Sequence, residues 1–400
     1  MKFKIQKEVL LPALQMVSGV VEKRSTLPII SNVLVRLHEQ RLTLTGTDCE
    51  IELTAQIDLP EKLEAFSITL PGRKWLDICK SLPDEATIEI SFDQAPRCIV
   101  RSGKSRFTLS TLPASDFPNV EIGPGVLEFS LKQSELRTLI ERTYFAMGQA
   151  DVRHYLNGMS FEVGKNMLRS VSADGHRLAT VSLPIALNQL KTHQVIIPRK
   201  GVIELLRLLH NTDEEVGVVL CSNHIRIVAQ KYTFISKLID GRFPDFQKVV
   251  PLNADKVVIA DKESFQHTLQ RAAILSNEKA RGIRLQLSNG LIKISANNPE
   301  QDEAEDEFSV EYNGKDLEIA LNVVYLLDVL QVLETDKIKM QFGDADTSVL
   351  IEEVEMVFNE ISSTNELAVV GETVMTSETS ETPNTTGQQR SLYVVMPMRL

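Results

Sequence analysis

Phe3–Val17 reads FKIQKEVLLPALQMV, Phe129–Thr143 reads FSLKQSELRTLIERT, and Val258–Ala272 reads VIADKESFQHTLQRA. Each is a short alternating run followed by apolar residues at three- and four-residue steps, the pattern of a strand entering an amphipathic helix. The same unit therefore opens three times along the chain. Further landmarks recur in the same order. LTLTGTDCEIEL (42–53), LRSVSADGHRLATV (168–181) and IKISANNPEQDEAE (292–305) run a strand into a polar turn at Asp48, Asp174 and Asn297. Asp and Asn suit such turns because their side chains bond the local backbone. ITLPGRKWLDICKSL (68–82), VIIPRKGVIELLRLL (195–209) and EIALNVVYLLDVLQVL (318–333) each give a strand, a break and a second helix, with Pro71 and Pro198 at two of the breaks. FTLSTLPASDFPNV (107–120), FISKLIDGRFPDFQKVV (234–250) and YVVMPMRL (393–400) close the units. A repeat of this kind predicts an α+β chain of three tandem domains, 1–125, 126–253 and 254–400, each with two helices packed on antiparallel sheets. The stretch 353–390, rich in Ser and Thr, interrupts the third repeat and reads as a flexible surface loop, with an extra hairpin through Leu367–Val370 and Thr373–Met375 as the alternative.

Length and composition agree. The chain has 400 residues, 43% hydrophobic and 24% charged, which excludes wholesale disorder. Cysteines at 49, 79, 98 and 221 form no CxxC pair, so neither a disulfide framework nor a zinc ribbon is expected. That usage suits a reducing cytoplasm. MKFKIQKEV lacks the apolar core of a signal peptide, and no run is long enough to span a membrane.

Catalytic motifs are absent. Gly164-Lys165 lacks the upstream glycine of a phosphate loop, Cys221 and His224 have no second ligand pair, and no GxSxG or HExxH occurs. Asp174 and His176 could be read as an acid–base pair, but no nucleophile accompanies them. We therefore expect no enzyme, no cofactor and no metal.

Charge is sorted by element. The formal charge is −11, yet the six predicted helices sum to a positive charge. Lys23, Arg24, Arg73, Lys80, Arg142, Arg199, Lys200 and Arg207 carry it, as a set of solvated faces or as one surface turned to a polyanion. Residues 300–307 hold Glu300, Asp302, Glu303, Glu305, Asp306 and Glu307, whereas 101–106 hold Arg101, Lys104 and Arg106 and run into Phe107–Leu109. Opposite charge at opposite ends of a repeated chain suits head-to-tail association, or marks two unrelated surface patches.

TLPIISN (26–32), LTGTD (44–48), DVRHYLNGM (151–159), ADGHRLA (173–179), PRKGVIELLR (198–207), DGRFPDF (240–246), RAAILSNEKARG (271–282), ANNPEQ (296–301) and YVVMPMRL (393–400) resemble the bacterial DNA sliding clamps, the beta subunits of DNA polymerase III. The resemblance covers the chain apart from about 353–390. It implies half of a closed six-domain ring: a homodimeric processivity factor that encircles duplex DNA without sequence specificity. Implied partners are a clamp loader, replicative and translesion DNA polymerases, ligase and mismatch-repair proteins, bound through short peptides. A scaffold dimer not linked to DNA is the alternative.

Helix dimensions agree with that picture. Axes about 10 Å apart give six helices a bore of about 10 Å and twelve a bore of about 30 Å, after side chains are subtracted. Only the latter admits a duplex of roughly 20 Å. The resemblance places DNA contacts at Arg24, Arg73, Arg199 and Lys200 with Tyr155 nearby; the charge reading adds Lys23, Lys80, Arg142 and Arg207. The implied dimer seam sets Lys74, Lys104, Arg106, Phe107 and Leu109 against Ile274, Leu275, Glu300, Glu303 and Asp306. The implied partner groove uses Leu156, Ala173, Gly175, His176, Arg177, Leu178, Pro244, Val249, Tyr325, Ser348, Val394, Met396, Pro397, Met398 and Arg399. Ala173 stands where the family has Thr, Lys248 where it often has Arg, and Ala150 where it has a polar residue.

Overall fold

The computed structural model describes residues 2–22, 27–92, 97–118, 120, 123–164, 166–187, 191–251, 254–354 and 389–399. Lys23, Arg24, the boundary at Asn253 and nearly all of the expected loop 353–390 lie outside the described residues. The chain forms two compact units, one from residues 1–165, 169–174 and 187–244, the other from 166–168, 175–186 and 245–400.

In the first unit, helix α1 (Lys7–Ser18) buries Leu10, Ala13, Leu14 and Val17, the stripe expected of its spacing. Pro12 sits inside α1 but on its exposed side, where water can satisfy the carbonyl it frees. Helix α2 (Gly72–Ser81) buries Trp75 and Cys79 and packs on α1. Burial pushes the Cys79 thiol up to about 12, so it stays a neutral core group. Helices α3 (Gln133–Glu141) and α4 (Arg199–Leu208) repeat the arrangement, burying Leu136, Leu139 and Ile140 on one and Val202, Leu205 and Leu208 on the other.

The strands do not close one sheet per repeat. An eight-stranded antiparallel sheet runs Phe66–Pro71, Asn32–His38, Arg41–Thr47, Ile51–Asp58, Tyr232–Lys237, His224–Val228, Glu215–Cys221, Gly125–Lys132. Its first four strands belong to repeat one and its last four to repeat two. The seam between them is the ladder Leu53↔Phe234 and Ile51↔Ser236. Sharing a sheet in this way removes an edge from each repeat. A four-stranded sheet, Lys2–Gln6, Thr87–Phe92, Arg97–Ser102, Ser105–Ser110, completes repeat one.

The second unit is built alike. Asp261 caps helix α5 (Lys262–Ile274) by accepting from the Ser264 amide at 2.8 Å, and Asn322 caps helix α6 (Val323–Val332) through the Val324 amide at 2.9 Å. The bonds to Ser264 hold the Asp261 carboxyl below its ordinary range. Arg177–Pro184, a repeat-two strand, pairs with Arg390–Val395, which continues through Val349–Glu353 and Lys337–Phe342 to Lys256–Asp261. Val349–Glu353 and Arg390–Val395 are antiparallel neighbours with Glu352↔Leu392 and Val349↔Val395 in register, so Glu353 and Arg390 lie at the end of this pair away from Met396. A second sheet runs Glu303–Ser309, Leu291–Asn297, Gly282–Ser288, Leu317–Asn322.

Candidate functional site

The groove residues of the second unit assemble around a turn and the chain end. Gly175 has φ +89°, a conformation that strains any side chain, and it turns the chain into the strand that begins at Arg177. Arg177 and Leu178 lie opposite Val395 and Val394. The ladder extends one step further, with the Met396 amide donating to the His176 carbonyl at 2.8 Å, and the Met398 amide donating to Ala320 at 2.8 Å. Met396, Pro397 and Met398 are thus held by backbone bonds while their side chains stay half-exposed. Thioethers on a fixed backbone give an apolar surface that adapts to different peptides. Val394 is fully buried in the single chain, and Leu178 opposite Val394 is buried at 4% exposure.

Polar groups orient the other wall. The Arg177 guanidinium sits 4.4 Å above the Tyr325 ring centroid and pairs with Asp328 at 2.5 Å. The His176 ring stacks on Tyr325 at 6.5 Å between centroids. Ser348 Oγ donates to the Val249 carbonyl at 3.2 Å. Leu156, Ala173 and Pro244 belong to the first unit, where Leu156 is buried, Ala173 half-buried and Pro244 exposed.

Sequence reasoning missed Asp328. Its only signal was being the one acid in the apolar run VVYLLDVLQV. Its side chain is 30% exposed and that of Arg177 12%, so the pair is partly withdrawn from water. Asp328→Asn keeps the shape and removes the charge that holds Arg177 over Tyr325. A charge-assisted hydrogen bond contributes about 1.5–3 kcal/mol. We expect partner-peptide affinity to fall roughly tenfold or more, with the dimer unchanged; peptide titration by fluorescence anisotropy checks this, and an unchanged affinity removes Asp328 from the site.

The cationic residues lie in the first unit. Arg73 and Lys80 are exposed on α2, and Arg199, at the start of α4, donates to the Met147 carbonyl at 3.2 Å. Tyr155 is half-buried on the single turn His154–Leu156. Lys200 and Arg207 are exposed on α4 but engaged, Lys200 with Asp48 and Glu22, Arg207 with Glu204 and the Met16 carbonyl. Arg142 is a correction. It caps α3 at 5% exposure, because its position faces the core that α3 covers, so it presents no charge to a polyanion.

Several of the residues expected at the seam lie on two outermost strands. Ser105–Ser110 is the outermost strand of its sheet among the described residues, with Lys104, Ser105, Arg106 and Thr108 exposed, Phe107 half-buried and Leu109 buried. Lys74 is exposed on α2. Glu303–Ser309 is likewise outermost in its own sheet, with Glu303, Glu305 and Glu307 exposed and Glu300 exposed just before it. Asp306 alternates inward and pairs with Arg271 of α5 at 2.6 Å. Ile274, at the end of α5, is 76% exposed, an unusual position for a large apolar side chain, and Leu275 beside it is half-buried.

Family models match residues 1–121 to the DNA polymerase III beta subunit, N-terminal domain, 130–245 to its central domain and 247–360 to its C-terminal domain. The chain belongs to the DNA polymerase III beta-subunit family. Among its relatives, the beta sliding clamp of Pseudomonas aeruginosa is 55% identical over 355 residues, covering 89% of this chain and 96% of the relative. That of Escherichia coli K12 is 45% identical over 400 residues, covering 100% of both. The crystal structure of the Pseudomonas aeruginosa subunit superposes with a TM-score of 0.89 at 51% identity, and the Caulobacter crescentus pol III beta with 0.85 at 31%, each covering 100% of both chains. A Pseudomonas aeruginosa clamp bound to griselimycin matches with a TM-score of 0.89 at 52% identity. The fold is the family's three tandem clamp domains, mixing helices with antiparallel sheets. Among the described residues no group of three His, Cys, Asp or Glu side chains is placed to hold a metal, and no helix is long and apolar enough to cross a membrane.

Proposed function

We propose that two copies of this sliding-clamp chain join head to tail into a ring around duplex DNA, slide along it, and tether replication and repair proteins through the Met396–Arg399 groove. The observation that carries the reading is the pair of sheet edges of opposite charge, Ser105–Ser110 and Glu303–Ser309, each outermost in its sheet among the described residues. An edge strand is a template for pairing. Two edges on one chain that complement each other but not themselves favour a heterologous contact, which closes when the rotation permits. Apolar Phe107, Ile274 and Leu275 would supply most of the affinity and the charges would set register. The domain limits 1–125, 126–253 and 254–400 remain our proposal, supported by the spans of the three family models.

Arg73, Lys80, Arg199, Tyr155 and Arg24 would face the duplex and act through the phosphates, without base readout, so that the ring stays free to slide. The groove would take short peptides of the loader, polymerases, ligase and mismatch-repair proteins. The Pseudomonas aeruginosa complex with griselimycin supports a ligand-accepting surface on this fold. The chain would work in the cytoplasm and carry no catalytic step of its own. Addition of the chain with a cognate loader should lengthen the products that the replicative polymerase makes from a single primer in one binding event. Unchanged product length sinks the reading.

A further inference from the structure

Two of the cations assigned to the DNA face are tied to something else. Repeats one and two are joined on the sheet side by the Ile51–Asp58 and Tyr232–Lys237 ladder, extended by the Lys237 amide to the Glu50 carbonyl at 2.8 Å and the Gln56 amide to Lys231 at 2.9 Å. A single ladder leaves the helical layer free to splay. On that side α4 of repeat two reaches repeat one through Lys200 and Arg207.

The Asp48 side chain is 2% exposed. Its Oδ1 accepts the Glu50 and Ile51 amides at 2.9 and 2.7 Å, and its Oδ2 takes the Lys200 ammonium. Glu22 lies 3.8 Å from the same ammonium. The Lys200 side chain is 45% exposed, so only the Asp48 end of the pair is buried; removing the ammonium leaves that carboxylate without its counter-charge, which is destabilising. The Lys200 charge is therefore matched by two carboxylates before any phosphate arrives. Burial disfavours the ammonium, but the hydrogen bond and charge of Asp48, with Glu22 and Glu50 behind it, outweigh that and hold its pKa above the ordinary value.

Arg207 makes the second tie. Its Nη2 donates to the Met16 carbonyl in the last turn of α1 at 3.0 Å, where the helix end is negative, and Glu204 steadies it at 2.8 Å. The guanidinium lies directly over Gly19, where a Cβ would stand 1.8 Å from Nη2.

We propose that Lys200 and Arg207 form a clasp that locks repeat one to repeat two on the helix side, and that the anion Lys200 serves is Asp48, not a DNA phosphate. The test uses the full-length chain. In Lys200→Met, hydrogen exchange at the Glu50 and Ile51 amides should accelerate about tenfold or more, while the dependence of duplex-oligonucleotide affinity on salt keeps its slope. Lys200→Arg, which keeps the pair, should restore protection. A phosphate contact would instead lower the slope by about 0.9; that loss, or unchanged amide protection, overturns the clasp. If Lys200→Met does not fold, Lys200→Gln gives the same readings. The slope measurement rests on the ring reading; absence of any DNA binding sinks that reading, while exchange still decides the clasp.

Discussion

Deleting Met396–Leu400 abolishes binding of partner peptides and leaves the chain folded and dimeric. The strand that ends at Val395 stays intact in this variant, because Tyr393, Val394 and Val395 are the fully buried residues and lie before the cut. What is lost is the segment fixed by the Met396 bond to His176 and the Met398 bond to Ala320, together with its two half-exposed thioethers. A few central contacts carry most of the affinity of such a site. Two anchors at about 2 kcal/mol each weaken binding by more than about 100-fold. Fluorescence anisotropy with a labelled peptide carrying a Gln and apolar anchors measures the loss. Affinity retained within a few-fold places the groove elsewhere.

Ile274→Ala combined with Leu275→Ala yields monomers. Ile274 is exposed in the single chain, so truncating it costs the fold little, within about 0.5 kcal/mol for a surface site. Leu275 is half-buried, and its truncation costs the fold more, though well short of a core cavity. At an interface core the same truncations cost about 2 kcal/mol each, a shift of roughly a thousandfold in dissociation constant. Sedimentation velocity at sub-micromolar concentration separates the outcomes. A dimer of undiminished affinity means the acidic edge and α5 are not the seam.

The three repeats were legible because local periodicity wrote them. Leu10, Ala13, Leu14 and Val17 are spaced for a helix face and all are buried. The shared sheet was not legible, since the pairing of Leu53 with Phe234 joins residues far apart in sequence and leaves no local mark. Alternation also failed at the chain end. Tyr393, Val394 and Val395 are all fully buried because their strand is interior to its sheet and covered on both faces, where the period of two disappears. A cation's sign was readable but not its partner. Arg142 turned inward at the end of α3, and Lys200 found Asp48, a residue recognised from sequence only as a turn former. Asp328 was invisible for the same reason, its role depending on Arg177 of another strand. Exposure was more legible: Arg106 and Glu303 are exposed on outermost strands, as their alternation predicts, and Ile274 is exposed at the end of α5.

The central claim is a topological link between two chains and a duplex. Protein assembled by a cognate loader on nicked circular duplex should remain bound through a wash at about 1 M salt, where screening acts over about 3 Å, and should come off when the circle is cut once. Release from the intact circle in that wash, or equal retention on circular and linear DNA, would show that ionic contact alone holds the chain and that no ring encloses the helix.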